Sequence, residues 1–266
     1  MASVRYAVAG HVAEITMDSP PVNALSVRMI EELLDALRRA AADDDVRAVV
    51  LASALPGRFC AGLDLSILTG EQGLSARRFL ERLYVDLADV QYNLGKPSIA
   101  AIDGTARAGG MTLAIQSNVI LAGERSTFGY PEIDVGLVPA IHFIHLPRVV
   151  GRHRAFEILF SGRAFDAHEA LGLGLVSRIV PDGRVLDEAR ALARDFASKP
   201  PTVMKLGHAA FMRFNDQDYR RDIASVVETF CTIAATDESR EGIRAFVEKR
   251  PPRWRVPKAG SPGDTP

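Results

Sequence analysis

The sequence predicts an α/β fold in which a mainly parallel sheet is covered by helices. Patterns typical of strands and of helices alternate from the N-terminus to about residue 180, and such alternation is characteristic of this class. Two largely apolar runs, "VRAVVLAS" (46–53) and "KPSIAAIDG" (96–104), are typical of strands buried on both faces. From about residue 200 only helical patterns follow, so we expect a helical appendage that packs on the core or on another subunit.

The N-terminal elements are two short strands, "RYAVAG" and "HVAEITM", that form a hairpin around Gly10 and His11. Two prolines in "SPPVNAL" (19–25) predict a loop, because proline disrupts regular strand pairing. Ser26, a residue suited to cap a helix N-terminus, then introduces a helix. The apolar residues that recur at helical spacing in this helix are Ile30, Leu33, Leu34, Leu37 and Ala41.

The middle of the chain continues the alternation. The acidic run at 43–45 ends the first helix, and after strand 46–53 the glycine-containing "LPGRFCAGLDL" (55–65) predicts a loop. A helix over 75–93 precedes strand 96–104. A further helix over 109–117 begins with two adjacent glycines, which are unfavourable in a helix and therefore require a reason.

The C-terminal half is mostly helical. We expect a strand at 118–123, an irregular stretch at 126–140 and a short strand within "GLVSRIVP" (174–181). The helical patterns predict helices at 141–150, 152–160, 167–172, 183–198, 201–216, 218–235 and 237–248.

The chain divides into three parts. Residues 1–198 are expected to form the core with the ligand site, and residues 199–249 a helical region. Residues 250–266 contain five prolines and are expected to form a flexible tail. The chain of 266 residues is long enough for a sizeable core.

Composition excludes several classes of function. The net charge of −1 disfavours a nucleic-acid-binding protein. No run reaches the roughly 18 apolar residues of a membrane helix, and the N-terminus lacks the pattern of a signal peptide. Two cysteines, Cys60 and Cys231, provide neither a disulfide framework nor a metal-binding spacing. We therefore expect a soluble, cytoplasmic protein without a membrane association.

Two glycine-containing loops are the candidate site for chemistry. "FCAGLDL" (59–65) follows one buried strand, and "GTARAGG" (104–110) follows another and opens a helix. Ligands of such sheets bind at the carboxyl ends of the strands, and a helix N-terminus offers unpaired N–H groups. Two such groups, one from each loop, would polarise a carbonyl oxygen as an oxyanion hole. Close packing of helix on strand is the alternative explanation for the glycines.

Six blocks in this order resemble the crotonase superfamily, the enoyl-CoA hydratase/isomerase family. They are "NAL" (23–25), "FCAGLDL" (59–65), "AAIDGTARAGGMTLA" (100–114), "ILAGERSTFGYPEIDVGLVP" (120–139), "GLVSRIVP" (174–181) and "ESREGIRAFVEKR" (238–250). The resemblance implies a ββα spiral core with a C-terminal helical trimerisation region. It also implies a homotrimer or a dimer of trimers that acts on an acyl-CoA thioester, with no cofactor beyond the coenzyme A of the substrate.

The resemblance assigns the catalytic groups. The N–H groups of Leu63 and Gly109 match the two oxyanion-hole donors, and Glu132 matches one of two catalytic glutamates of family hydratases. The other glutamate position holds Thr112, whose hydroxyl is a poor general base at neutral pH. One carboxylate suffices to move a proton from C2 to C4, so the sequence favours a Δ3,Δ2-enoyl-CoA isomerase. Family dienoyl-CoA isomerases carry an aspartate where this chain has Ala140.

Three other functions remain open alternatives. A hydratase would use Glu132 and an ordered water, and another crotonase reaction would use the same enolate. An inactive acyl-CoA-binding protein is the third, because Thr112 replaces a catalytic acid.

The resemblance also implies contacts with coenzyme A and with the acyl group. Ser66 replaces a frequent lysine of the adenine-side loop, and Arg58 is the candidate to supply the missing charge. A cluster of basic residues near the C-terminus, from Arg244 to Lys258, is either a solvated tail or a phosphate contact. The other expected substrate-binding residues are Ala61, Asp64, Gly110, Thr112, Phe246 and Lys249.

Two histidines replace a segment that is often glycine-rich in family hydratases. His142 and His145 are spaced to share a helix face, but the nearby sequence provides no third ligand, so we expect no metal. A buried histidine bonded to the backbone is one interpretation. The other is that His142 lines the acyl pocket and assists proton transfer.

Overall fold

The computed structural model describes residues 3–68 and 73–255. Within these ranges the strands are β1 (Val4–Ala9), β2 (Val12–Met17), β3 (Ala24–Leu25), β4 (Ala48–Ser53), β5 (Gly57–Cys60), β6 (Gly62–Leu63), β7 (Ser98–Ile102), β8 (Gly104–Arg107), β9 (Val119–Gly123), β10 (Thr127–Gly129), β11 (Ala164–Asp166) and β12 (Arg178–Val180).

The helices of the same ranges are α1 (Val27–Ala42), α2 (Gly73–Leu80), α3 (Leu87–Tyr92), α4 (Gly109–Ile115), α5 (His142–Val150), α6 (Arg152–Ser161), α7 (Ala167–Gly172), α8 (Val185–Ala197), α9 (Pro201–Ala234) and α10 (Asp237–Val247). Two 3₁₀ helices span Leu65–Leu68 and Pro131–Val135, and a π-helical turn spans Glu81–Asp86.

The larger sheet has the strand order β1-β2-β4-β7-β9-β12. Its strands are parallel except for the hairpin of β1 and β2, which confirms the predicted class. Gly10 and His11 in the hairpin turn have φ of 56° and 65°, as a tight turn with two left-handed residues requires. The hairpin and the central strands could therefore be predicted from the sequence.

A second sheet has the order β11-β10-β8-β5, and a two-stranded sheet pairs β3 with β6. Strands β4, β7 and β9 belong to the larger sheet, and each is followed by a strand of the second sheet, β5, β8 and β10. A helical segment follows each such pair or the connection after it. This repetition is the ββα spiral that the resemblance implied.

Both faces of the central strands β4 and β7 of the larger sheet are buried. Alternate residues of β4 explain the apolar run, because Val49 and Leu51 face the main core whereas Ala48 and Val50 face α8. Helix α8 covers that second face with a row of small residues, namely Val185, Ala189, Ala193 and Ala197. On the main-core face α1 contributes its apolar stripe, and the Ser26 hydroxyl accepts a bond from the Met29 N–H, as a capping residue does.

Helix α9 differs from the prediction of two helices at 201–216 and 218–235. The polar residues around 217 interrupt the apolar pattern, but no proline or glycine breaks the backbone there. Packing continues beyond this point, where Tyr219, Ile223 and Val226 are buried against the main core. The helical segment predicted at 75–93 is α2, the π-helical turn and α3 in succession.

The C-terminal segment lies against α10 as far as residue 255. Arg250 forms an ion pair with Glu241, and the Trp254 ring reaches Gly242. The rest of the predicted tail, residues 256–266, lies outside the described residues. Within the described ranges, no helix combines the length and the apolar character needed to cross a membrane.

Candidate active site

A cavity of about 440 Å³ lies where the two glycine-containing loops meet the helical region. Its wall is mostly apolar, with three carboxylate residues among the lining. Six residues expected in the site line it, namely Ala61, Leu63, Asp64, Gly109, Glu132 and Phe246.

The two loops approach each other so closely that a side chain would separate them. A Cβ atom on Gly62 would lie 2.6 Å from the Ala108 Cβ and 3.1 Å from the Gly109 nitrogen. A Cβ atom on Gly109 would lie 2.8 Å from the Leu25 side chain and 3.5 Å from the Leu63 nitrogen. Glycine at both positions thus brings the Leu63 and Gly109 N–H groups side by side at the cavity. Their arrangement suits a pair of donors to one oxygen.

The second glycine of the pair has a different function. A Cβ atom on Gly110 would lie 2.4 Å from the Cys60 carbonyl oxygen, and Gly110 is buried outside the cavity lining. Gly110 therefore allows α4 to pack on β5. Close packing of helix on strand therefore explains Gly110, whereas Gly109 lines the cavity, where the oxyanion-hole prediction requires it.

Ala108, the residue before α4, has a φ of 50° and a ψ of −120°. A non-glycine residue in this region costs about 1–3 kcal/mol and persists only where its surroundings enforce it. Its N–H donates to the Gly129 carbonyl oxygen at 3.1 Å. Because ψ of Ala108 sets the plane of the next peptide, this conformation determines where the Gly109 N–H points.

A buried asparagine holds the other loop. The Asn23 amide nitrogen donates to the Ser53 hydroxyl at 2.8 Å and to the Phe59 carbonyl oxygen at 3.0 Å. Its amide oxygen accepts from the Ser19 N–H, and the Cys60 thiol donates to the Asn23 carbonyl oxygen. In the sequence, Asn23 stands out only as part of the family block at 23–25. Asparagine tolerates the left-handed conformation found here, with a φ of 51°.

Glu132 is a half-buried acid of the cavity, and its Oε2 atom is fully buried. It lies in the 3₁₀ helix Pro131–Val135, which begins with proline and ends at Gly136 with a φ of 72°. Burial raises the pKa of its carboxyl group to about 8, and its Oε2 has no hydrogen-bond partner among the described residues. The group is thus poised to exchange a proton near neutral pH.

The other two lining carboxylates differ from Glu132. Asp134 is exposed, and Asp64 is half-buried and accepts a bond from the Ser66 N–H at 3.0 Å. Neither has a fully buried oxygen without a partner. Glu132 is therefore the acid whose environment suits proton transfer.

Thr112 and His142 lie behind the cavity wall. Their exposed fractions are 1% and 0%, and neither is among the cavity-lining residues. The Thr112 hydroxyl and the His142 Nε2 lie 3.3 Å apart, and the His142 ring packs on Tyr130 with centroids 4.4 Å apart. Burial lowers the pKa of His142 well below its usual range, so the ring is neutral. The histidine thus bonds to a side chain, whereas the sequence interpretation was a bond to the backbone or a place in the acyl pocket.

His145 is one helical turn away and also neutral, because burial lowers its pKa to about 4. Its ring contacts the edge of Tyr219. Across the described ranges, no group of three or more His, Cys, Asp and Glu side chains is arranged to hold a metal ion.

The residues expected to bind coenzyme A divide into one that lines the cavity and others that lie outside its lining. Phe246 lines the cavity and is exposed, whereas Lys249 lies just beyond α10 and outside the lining. Arg58, on β5, also lies outside the lining and donates to the Thr105 hydroxyl at 3.3 Å. Arg250 is neutralised by Glu241 and Glu248, a pairing that the cluster of basic residues in the sequence does not reveal.

The apolar wall contains an aromatic pair that sequence reasoning missed. Tyr84, in the π-helical turn, meets Phe230 of α9 edge to face, with ring centroids 6.4 Å apart. Their positions are more than 140 residues apart in sequence, and no local pattern connects them. Burial raises the pKa of the Tyr84 hydroxyl, which therefore stays protonated.

Comparison with known proteins gives a consistent result. The family model described as enoyl-CoA hydratase/isomerase matches residues 8–257. A Thermus thermophilus protein that is provisionally named an enoyl-CoA hydratase is 37% identical to this chain over 255 residues. The aligned residues span 92% of this chain and 98% of the relative. The mitochondrial methylglutaconyl-CoA hydratase of Mus musculus is 32% identical over 238 residues, which span 88% of this chain and 76% of the relative.

A solved structure extends the comparison to the fold. The crystal structure of an enoyl-CoA hydratase/isomerase from Pseudoalteromonas atlantica T6c superposes with a TM-score of 0.83 at 30% identity. The superposition covers 95% of this chain and 100% of that one. The crotonase resemblance is thereby confirmed, and this chain belongs to the enoyl-CoA hydratase/isomerase family.

Proposed function

We propose that this protein shifts the double bond of a 3-enoyl-CoA thioester to the 2-position, using Glu132 as its single acid–base group. The observation that carries the proposal is the environment of Glu132. It is the lining carboxylate with a buried, unpartnered oxygen, and burial raises its pKa to about 8. A group with a pKa near the working pH can both accept and return a proton.

The reaction begins with the thioester carbonyl oxygen between the Leu63 and Gly109 N–H groups. Ionised Glu132 removes a proton from C2, and the electron pair moves onto the carbonyl oxygen as an enolate that both N–H groups stabilise. Protonated Glu132 then returns the proton to C4, so the double bond comes to lie between C2 and C3. The isomerisation consumes no water and requires no redox partner.

Hydration of a 2-enoyl-CoA is the second candidate. The names of the Thermus and mouse relatives favour it. It would require Glu132 alone to activate a water, because the second position is Thr112, whose hydroxyl faces His142 rather than the cavity. This difference makes isomerisation the better supported proposal.

Two substrates distinguish the candidates. Incubation of the protein with a 3-enoyl-CoA should increase the absorbance of the conjugated thioester, whereas addition of water to a 2-enoyl-CoA would decrease it. Glu132→Gln should lower isomerisation by at least about 10³-fold while acyl-CoA binding persists. Asp134→Asn is the matched control, because it neutralises an exposed carboxylate of the same cavity wall and should retain activity. An undiminished rate in Glu132→Gln would disprove the assignment of the base.

We extend the proposal to coenzyme A recognition. The exposed Phe246 ring offers a stacking surface at the cavity for the adenine. Lys249, three residues later, offers a cation for phosphate, and Arg58 offers a second cation near the loop that carries Ala61 and Asp64. These contacts place the thioester at the N–H pair.

We also propose that the protein assembles as a trimer or a dimer of trimers. Helices α6 and α9 expose large apolar side chains, which monomeric proteins rarely leave uncovered in number. They are Phe156, Phe160, Val203, Leu206, Phe211 and Phe214.

A further inference from the structure

The part of the cavity wall that the structure describes presents one side-chain hydroxyl group. Among the described residues that line the cavity, only Tyr84 carries a hydroxyl. The other polar side chains of this lining are the carboxylates of Asp64, Glu132 and Asp134. The lining residues on the same helical segment as Tyr84, and its ring partner, are apolar; they are Leu80, Leu83 and Phe230. An acyl group that enters here therefore meets one hydroxyl in an otherwise apolar surface.

Packing holds the Tyr84 ring in a defined position. Tyr84 belongs to the π-helical turn Glu81–Asp86, in which the Leu87 N–H donates to the Arg82 carbonyl oxygen. Such single turns occur frequently at functional sites. The residue is 5% exposed and meets Phe230 of α9 edge to face, an arrangement that aromatic pairs favour. The position of the hydroxyl is therefore set before a ligand binds.

The Tyr84 hydroxyl is accessible from the cavity and forms no hydrogen bond with another described residue. The hydroxyl groups of Tyr6 and Tyr130 also lack a partner among the described residues, but these two are fully buried, whereas the Tyr84 hydroxyl is not. Because Tyr84 lines the cavity, its accessible hydroxyl faces the cavity space, where water can bond to it until a ligand enters.

Binding of an acyl group changes the surroundings of this hydroxyl. The entering chain displaces the water, and a hydrocarbon chain offers no hydrogen bond in exchange, so the hydroxyl becomes a polar group without a partner. The lost bond weakens binding by about tenfold. An oxygen atom on the acyl group restores the bond, and sites built around such a bond strongly reject analogues that lack it. A tyrosine at position 84 thus discriminates between acyl groups, which a phenylalanine would not do.

The charges around the hydroxyl restrict the kind of oxygen that fits. Burial, followed by the charge of Glu132, raises the pKa of the Tyr84 hydroxyl, which therefore stays protonated and donates its hydrogen. A carboxylate on the acyl group would lose its hydration in a wall that already carries three carboxylates. None of the described lining residues is a lysine, an arginine or a histidine that would compensate its charge. The oxygen that fits is therefore an uncharged acceptor.

We infer that the Tyr84 hydroxyl selects a CoA thioester whose acyl group carries an uncharged oxygen, in a hydroxyl or a ketone group. This inference rests on the proposed function of the site, because it concerns the acyl group of the proposed substrate. Tyr84 donates a hydrogen bond to this oxygen and takes no part in moving the proton between C2 and C4. It is a specificity-determining residue, and its contribution appears in the choice between substrates.

The experiment uses 3-enoyl-CoA thioesters of five to eight acyl carbons that carry a hydroxyl on the terminal carbon. Each is paired with the isostere in which a methyl group replaces the hydroxyl, and the readout is the ratio of their kcat/KM values. In the wild type we expect a ratio of about ten or more at the chain length that brings the hydroxyl to Tyr84. Tyr84→Phe keeps the ring and should lower that ratio to about one. A terminal carboxylate in place of the hydroxyl should lower kcat/KM of the wild type.

Tyr130→Phe is the matched control, because it removes an unpartnered tyrosine hydroxyl that lies outside the cavity lining. This variant should keep the wild-type ratio. Circular dichroism and thermal unfolding verify the fold of both variants, and the wild-type ratio tests the inference even if Tyr84→Phe does not fold. Calorimetry with the saturated hydroxyacyl-CoA and its methyl isostere gives the ratio of their Kd values, which requires no reaction.

The outcomes separate the inference from the proposed function. A wild type that isomerises every pair with a ratio near one would overturn the inference and leave the proposed function intact. A ratio that persists in Tyr84→Phe would also overturn the inference, because another group would then recognise the oxygen, and so would a preference for the carboxylate. A wild type without isomerisation, whose binding ratio disappears in Tyr84→Phe, would support the inference and overturn the proposed function.

Discussion

If Glu132 is the base, as we propose, its carboxyl group should govern how activity depends on pH. Burial raises its pKa to about 8, and the base must be ionised before it can remove the C2 proton. The value of kcat/KM for isomerisation should therefore rise with pH and level off above about pH 8, because this parameter reports the pKa of the free enzyme. A pH–rate profile between pH 5.5 and 9.5 measures it. A profile that is flat from pH 5.5 to 9.5 would instead indicate a solvated carboxyl group with its ordinary pKa of 4.5.

The same carboxyl group makes stability depend on pH. The ordinary pKa of the group is 4.5, and the folded value is about 8, so the folded protein holds this proton more tightly. The stabilising contribution is complete below about pH 4.5 and is lost as pH rises through 8, at about 1.4 kcal/mol for each pH unit. Glu132→Gln should therefore become progressively more stable than the wild type between these values.

Thermal or urea unfolding at pH 5, 6, 7 and 8 tests this dependence. The difference in unfolding free energy between Glu132→Gln and the wild type should grow along the series and remain constant above pH 8. Asp134→Asn removes an exposed charge and should show a small offset, as surface substitutions do. A pH-independent difference for Glu132→Gln would contradict burial of the acid.

Individual site residues were predictable to different degrees. Leu63, Gly109 and Glu132 lie within contiguous motifs, and the structure places all three at one cavity. The exclusion of Thr112 and His142 from that cavity was not predictable. His142 follows the irregular segment 126–140. The path of this segment determines which way the His142 ring points, and the sequence pattern does not specify that path. Hydrogen bonds around Asn23 join residues up to 37 positions apart and have no local signature.

The contact between β6 and α4 is the element on which the N–H pair depends. Gly62→Ala would place a Cβ 2.6 Å from the Ala108 Cβ, in a residue with a φ of 101°. The two loops would have to separate, and the donor pair would lose its geometry. We expect kcat to fall by about 10²–10³-fold, the effect of losing one donor.

Gly57→Ala controls for the backbone conformation alone. Gly57 also has a positive φ, of 65°, but an added Cβ would meet nothing within 4 Å. This variant should lose stability by about 1 kcal/mol and keep its kcat. Equal kcat values for Gly62→Ala and the wild type, measured with saturating 3-enoyl-CoA, would show that the loops do not position the donors.

Elements were predictable where their signal was local. Strands β4 and β7 have uninterrupted apolar runs, and α1 has a helical stripe with a cap. The short strands β5 and β6 fell within a predicted loop, because two to four residues show no periodicity. Their pairing depends on partners far along the chain, such as β5 with β8. The fold class was thus evident, whereas the second sheet became recognisable only through the family resemblance.

At the scale of the whole molecule, the exposed aromatic residues favour an assembly. Phe156 and Phe160 stack at 4.4 Å on α6, and Phe143 continues the stack at 5.6 Å. On α9, Phe214 is 80% exposed. Burial of such rings between subunits removes apolar area from water, at about 25 cal/mol for each Å². Light scattering after size-exclusion chromatography should therefore give three or six times the subunit mass of 28.8 kDa.

The site of contact is tested by introducing a charge. Phe214→Glu would place a carboxylate in an apolar interface, where it loses its hydration, so the assembly should dissociate toward smaller species. Val8→Glu makes a comparable change on β1, an edge strand of the larger sheet, and should leave the mass unchanged. Because the cavity wall includes Phe230 of the same long helix, dissociation should also raise KM for the acyl-CoA more than it lowers kcat. A monomeric wild type, or dissociation by Val8→Glu in place of Phe214→Glu, would show that these aromatic residues are not the interface.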